Sequence, residues 1–175
     1  MPSITLYHGS SRKFGAFSYT NLNPGGNLQE GPGFYLTSSE KDARSYGRYI
    51  YTVQVIYTKL VPQRGVPKRE ELTHIVRSSP NLRDNFWDWG ETLEQGVMAA
   101  VNSYMRYSKH PHDAFQQVWV DWYRHDIIPY LKEMVRLRYD GVKINKTDGV
   151  KHFIAFNPLK LRIINIEDTS KQKSR

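Results

Sequence analysis

The chain has 175 residues, with 25 Lys and Arg against 17 Asp and Glu and a net charge of +8. Apolar residues make up 39% and aromatic residues 13%, enough for a core, which excludes a globally disordered chain. Cysteine is absent, so disulfides, thiolate nucleophiles and cysteine zinc sites are excluded, and a reducing compartment is the expectation. No stretch approaches the ~20 apolar residues of a membrane helix. The segment Met1 to Phe14 carries His8, Arg12 and Lys13 without the apolar run of a signal peptide. A cytoplasmic protein with no membrane partner is expected. The basic excess fits an acidic partner, a nucleic acid or an acidic protein face, or simply a solvated surface.

Ile4–Tyr7 reads as a short strand, followed by His8-Gly9-Ser10. Asn21–Gly33 is rich in Asn, Pro and Gly and reads as a long mobile loop. Phe34–Thr37 is a second strand. Ser38 or Ser39 caps a short helix with Glu40, Lys41 and Asp42 in its first turn and Gly47 at its end. Tyr49–Thr58 alternates β-branched and aromatic residues and is the clearest strand. Leu60–Pro80 reads as a basic connection punctuated by prolines. From Glu91 the period turns helical, with Leu93, Val97, Val101, Tyr104 and Met105 on one face. A second helix opens at Pro111–Asp113 and buries Phe115, Val118, Trp119 and Trp122. A third segment opens at Pro129, with Leu131, Met134 and Val135 inward. Tyr139-Asp140-Gly141 reads as a turn. Val142–Asn145, Phe153–Phe156 and Leu161–Ile166 are short strands. Strands, then helices, then strands indicate an α+β domain over residues 1–167 with a helical insertion at about 80–138. Residues 168–175 read as a flexible tail.

The residues that carry chemistry gather at the two ends. His8 follows a strand and precedes Gly9 and Ser10, which leaves an imidazole beside open backbone groups. Gly33 permits close approach of backbone to a ligand. Tyr35 and Tyr46 lie 11 residues apart across a strand and a short helix, so their rings are able to sandwich a flat ligand. The alternative for each tyrosine is core packing. His110-Pro111-His112-Asp113 has the composition of a metal site, but a proline between the histidines reads better as a helix start capped by His112 or Asp113, and no metal is expected.

Together, "YHGS", "GPGFYLT" and "ARSY" resemble the poly(ADP-ribose) polymerase branch of the ADP-ribosyltransferase superfamily. They are closest to its small bacterial and phage domains, including those of polyvalent phage proteins. Tyr139-Asp140-Gly141-Val142 and Phe153 to Pro158 resemble that family's closing turn and strand. The resemblance covers about 1–58 and 138–166. It implies a split antiparallel β-sheet and NAD⁺ as co-substrate. No Gly-x-Gly-x-x-Gly opens a helix after a strand, so a Rossmann site is excluded. By the resemblance, His8 hydrogen-bonds the adenosine-side ribose and the Gly9 backbone holds the nicotinamide carboxamide. Ser10 supports the adenosine end. Tyr46 stacks on the nicotinamide, and Tyr35 walls its other side. The activity implied is single transfer of ADP-ribose to a macromolecular acceptor, nucleic acid or protein, by a toxin-like or phage-conflict protein in a bacterial or host cytoplasm.

The sequence departs from the family at two places. Where the family carries a Glu at the start of its last catalytic strand, this chain has His152. An imidazole titrates near pH ~6.5 and lacks a carboxylate's charge. Three readings stay open. His152 replaces the Glu; Asp148, or more distantly Asp140, reaches in; or catalysis is lost, leaving a module that binds NAD or ADP-ribose. A basic RNA-binding regulator on the same fold is a further alternative. The second departure is Ala43, where the branch commonly has a Ser for the nicotinamide amide.

Overall fold

The computed structural model describes residues 1–22 and 28–174, with side chains as far as Lys171. Part of the loop expected over Asn21–Gly33, residues 23–27, lies outside the described residues, as does Arg175 of the expected tail. The chain forms two compact units: Met1–Leu60 with Asp140–Arg175, and Val61–Tyr139.

The first unit is built on six strands: β1 Ser3–Ser10, β2 Phe34–Thr37, β3 Tyr49–Ile56, β4 Gly141–Asn145, β5 Lys151–Ala155 and β6 Leu161–Asp168. They form one sheet in the order β4-β5-β2-β1-β3-β6. Every named pair is antiparallel. The alternation read in β3 is real: Tyr51, Val53 and Val55 are buried between half-buried Thr52, Gln54 and Ile56. These three side chains join Leu6, Phe34, Leu36, Phe153 and Ala155 in one apolar cluster on a single face, as the two-residue side-chain period of a strand requires.

β1 is longer than the sequence indicates and includes His8, Gly9 and Ser10, because β3 pairs with it along a full ladder from Ser3–Ile56 to Ser10–Tyr49. Between β1 and β2 the pairing shrinks to one registered pair, Tyr7 with Thr37. Beyond that seam, β2 pairs with β5 over its whole length, so Thr37 lies opposite His152.

Two local devices fix the ends of these strands. A short helix, α1 (Glu40–Arg44), follows β2; the Ser39 hydroxyl caps it by accepting the Asp42 N–H at 3.1 Å. At the other end, Tyr139-Asp140-Gly141 is more than a turn. The buried Asp140 carboxylate accepts the Thr58 N–H at 2.6 Å, the Thr58 hydroxyl at 3.0 Å and the Lys59 N–H at 3.2 Å. Asp140 thereby ties the start of β4 to the segment that leaves β3.

The second unit is helical: α2 Arg69–Arg77, α3 Leu82–Asn85, α4 Leu93–Tyr107, α5 Pro111–Tyr123 and α6 Ile127–Arg136. α2 corrects the expectation of a bare connection over Leu60–Pro80. Its polar residues obscure a narrow apolar stripe, Leu72, Ile75 and Val76, all fully buried. Thr92 and Gln95 form a reciprocal capping box at the start of α4. The cap of α5 is His110, whose Nδ1 accepts the Asp113 N–H at 3.1 Å, with Pro111 at the first helical position. Neither His112 nor Asp113 fills that role. α6 starts at Ile127, two residues before Pro129. The unit's core holds a polar chain: Trp122 Nε1 donates to the Tyr104 hydroxyl at 2.9 Å, which donates to Asp121 at 2.7 Å.

Candidate active site

The seam between β1 and β2 opens into a cleft of about 290 Å³, near the lower end of small-molecule sites. His8, Gly9, Ser10, Gly33, Tyr35, Tyr46 and His152 all line it. The sheet thus gathers residues that are up to 144 positions apart in the chain. Asp148 does not line it. It sits on the exposed turn between β4 and β5, where its carboxylate accepts the Val150 N–H at 2.9 Å.

His8 lies on the side of β1 that faces Phe14, Phe17 and Tyr51, with ring centroids 5.9, 5.3 and 5.8 Å away. Its Nδ1 lies 2.7 Å from the Tyr35 carbonyl oxygen. A carbonyl only accepts, so Nδ1 carries the proton and Nε2 is left as the ring's acceptor. Removal from water among these rings lowers the His8 pKa below its ordinary value, and the bond to Tyr35 offsets this only in part. The cleft therefore contains a neutral imidazole of fixed tautomer.

Gly9 is required by its neighbour. A Cβ there would lie 1.9 Å from the Ala43 carbonyl oxygen, so α1 rests directly on the β1 backbone. Ala43 is wholly buried at this contact. Ser45 does not take over the missing serine's place; its hydroxyl donates to the Asp42 carbonyl at 2.6 Å. Gly33 has φ +148°, and a Cβ on it would lie 2.5 Å from Ile154 and 2.7 Å from the Ala155 carbonyl. Its lack of a side chain thus serves the close approach of β5 as well as the cleft.

The two tyrosines differ. Tyr35 is half-buried and donates its hydroxyl to the Gly31 carbonyl. Burial, with the nearby Glu30 charge, pushes its hydroxyl pKa well above the ordinary range, so it stays protonated. Tyr46 is 60% exposed at the end of α1, an apolar ring offered to solvent at the cleft mouth.

His152 is engaged on both ring nitrogens. Nδ1 lies 2.7 Å from Glu30 and Nε2 lies 3.0 Å from Asp42. Lys146 pairs with the second oxygen of Glu30. Burial alone would raise the Glu30 pKa, but the hydrogen bonds from Lys146 and His152 outweigh it and keep the carboxylate ionised below its usual range. Glu30 and Asp42 went unnoticed in the sequence. Glu30 sits in the Pro/Gly-rich loop, and Asp42 reads as an ordinary residue of a helix's first turn; nothing in their local sequence pairs either with His152.

A family model for ADP-ribosyltransferases in polyvalent proteins matches residues 2–170. The chain belongs to this family. Curated proteins give no match. Among solved structures, an anti-CRISPR protein is similar at 14% identity, covering 93% of this chain and 96% of its own, with a TM-score of 0.38. Family membership makes the chain an ADP-ribosyltransferase domain, of a family that uses NAD⁺ as substrate. The six-stranded antiparallel sheet and the helices give the α+β class expected. Among the described residues no group of three or more His, Asp or Glu is placed to hold a metal ion, and no helix is long and apolar enough to cross a membrane.

Proposed function

We propose that the chain is a mono-ADP-ribosyltransferase that takes NAD⁺ in the seam cleft and transfers one ADP-ribose to a macromolecular acceptor. The observation that carries this is the convergence of His8, Gly9, Tyr35 and Tyr46 on one cleft in a chain of that family. The single β1–β2 pair supports reading the sheet as split at the cleft. The helical unit is read as an insertion between β3 and β4 of one transferase domain.

The residues fit the substrate. The exposed Tyr46 ring and the half-buried Tyr35 ring offer two faces to nicotinamide. The Gly9 backbone lines the cleft beside Tyr46 and offers its peptide groups to the carboxamide. Neutral His8 offers Nε2 as an acceptor for a ribose hydroxyl. Nicotinamide leaves neutral while positive charge grows on the ribose, so the enzyme gains by holding negative charge near that carbon.

The acceptor is read as a nucleic acid in preference to a protein. Of the 25 basic residues, 14 lie in the unit that carries the cleft, against 7 acidic ones, whereas the helical unit has 11 against 10. Arg12, Lys13 and Lys41 are exposed and adjoin the lining residues Ser11 and Asp42. A toxin or phage-conflict role in a cytoplasm, where NAD⁺ is at hand, accords with the family's occurrence in polyvalent proteins. One observation favours a second reading, an impaired module that only binds NAD or ADP-ribose: His152 replaces the expected Glu and both its nitrogens are occupied.

Incubation with labelled NAD⁺ and cell lysate tests the proposal. Label should enter a nuclease-sensitive fraction with release of nicotinamide, and His8→Ala or Tyr46→Ala should each abolish it. Protease-sensitive label moves the acceptor to protein. NAD⁺ binding by calorimetry without nicotinamide release selects the binding module, and neither binding nor release overturns the reading.

A further inference from the structure

We propose that Asp42 supplies the carboxylate that the family's β5 position lacks in this chain. The inference rests on the transferase reading above.

Four acidic residues are candidates for the task, and their surroundings separate them. Asp140 is buried away from the cleft lining, and its Oδ2 holds Thr58 and Lys59. Asp148 serves an exposed turn away from the cleft lining. Glu30 has one oxygen on Lys146 and the other on His152, and it does not line the cleft. Asp42 does line it. Its Oδ2 faces His152, and its Oδ1 has no hydrogen bond among the described residues. Asp42 in α1 and Tyr46, two residues beyond its end, both line the cleft. A carboxylate with one anchored oxygen and one free oxygen, beside the exposed aromatic wall, is placed to meet charge that develops on the ribose.

His152 is the positioning residue. Carboxylates that are ionised only accept, so both contacts of His152 are made together when both ring nitrogens donate. Glu30 and Lys146 hold its far side. The groups that face His152 are therefore Glu30 from the loop before β2, Asp42 from α1 and, through Glu30, Lys146 at the end of β4. The β5 position still governs the site, but through an imidazole that orients a carboxylate from the neighbouring helix.

In the step itself, the bond from ribose C1′ to the nicotinamide nitrogen breaks, and its electron pair departs with neutral nicotinamide. A lone pair on the acceptor atom forms the new bond at C1′. The proton released by the acceptor passes to Asp42 Oδ1 and from there to water.

The experiment measures nicotinamide release from NAD⁺ in lysate, with NAD⁺ affinity by calorimetry in parallel. Asp42→Asn keeps the shape and an acceptor for His152. It should lower the turnover about 10²–10³-fold, the range for removal of one charge-stabilising group, while NAD⁺ affinity changes less than about threefold. Asp42→Glu should restore part of the rate, which a merely structural role would not do. His152→Gln should lower kcat with KM for NAD⁺ unchanged. Wild-type turnover in Asp42→Asn overturns the proposal and leaves the transferase reading intact. So does loss of turnover confined to Asp148→Asn, which would move the carboxylate to the β4–β5 turn. If the wild type neither binds NAD⁺ nor releases nicotinamide, the underlying reading falls, and the role of Asp42 with it.

Discussion

A single methyl group at Gly9 tests whether the cleft depends on the contact between β1 and α1. In Gly9→Ala the new Cβ would sit 1.9 Å from the Ala43 carbonyl oxygen, 2.9 Å from its carbon and 3.1 Å from Tyr46 Cβ. Real Cβ atoms do not approach closer than 3.0 Å, so strand and helix must separate by about 1 Å. The obstacle is backbone on both sides, and no rotamer change relieves it. Overpacking of this kind costs about 1–3 kcal/mol, or roughly 2–12 °C in Tm at ~2–4 °C per kcal/mol for a chain of this size. The larger effect falls on function. α1 carries Asp42 and leads directly into Tyr46, both proposed for the site, and a displacement of ~1 Å at a catalytic group costs about 10²-fold in rate. Thermal melting and nicotinamide release, measured side by side, give the two numbers. Wild-type melting with wild-type turnover would refute the argument that α1 rests on Gly9 and that this contact sets the cleft. Full turnover with a lowered Tm would confine the contact to stability.

The His8 imidazole, whose pKa burial lowers, should titrate below ~6.5 by NMR. Its unfolded form binds more protons between the folded pKa and ~6.5, so its contribution to stability is complete above ~6.5 and is lost as pH falls through that window; a midpoint at or above 6.5 contradicts the burial argument. Asp140→Ala removes the acceptor of three donors and should cost about 3 kcal/mol, seen as a Tm drop of roughly 6–12 °C; a drop of under ~2 °C would mean that the carboxylate clamps nothing. Tyr104→Phe strips Trp122 Nε1 and Asp121 of their shared partner and should lower stability by about 1–2 kcal/mol in urea titration, whereas an unchanged midpoint would mean that the chain of hydrogen bonds contributes nothing. With a nucleic-acid acceptor held by Arg12, Lys13 and Lys41, log acceptor affinity should fall with log salt at a slope of about −2 to −3; a flat response excludes a phosphate grip by these three.

The fold was legible wherever side-chain period and burial coincide. β3 alternates because one face of it is core, and α4 and α5 carry apolar stripes of helical period. α2 was not legible, because its three buried residues sit among Arg, Glu and His, and the prolines before it resemble a linker. Its stability comes from tertiary burial of a narrow stripe, which local composition does not report. The extent of β1 was hidden for a related reason. His8-Gly9-Ser10 has loop composition, yet pairing with Tyr51, Ile50 and Tyr49 holds it extended. Strand length was decided by the partner's ladder, and that ladder is long-range.

The site divides along the same line. His8, Gly33, Tyr35 and Tyr46 were legible because their local sequences resemble those of a family, and the sheet brings them to one cleft. The carboxylates were not legible, because what marks them is a three-body contact. Glu30, Asp42 and His152 are 12 and 110 residues apart in sequence, and each alone suits a bland role in loop, helix turn or strand end. The register Thr37–His152 places the imidazole beside the exit of β2. The Ser39 cap then starts α1 at once, which carries Asp42 to the other ring nitrogen. By the family resemblance His152 stands where a Glu is expected, which looks in sequence like the loss of a charge. In the folded chain the two nitrogens of His152 meet two carboxylates, Glu30 and Asp42, so on the proposed reading the position still commands negative charge, held one side chain further out.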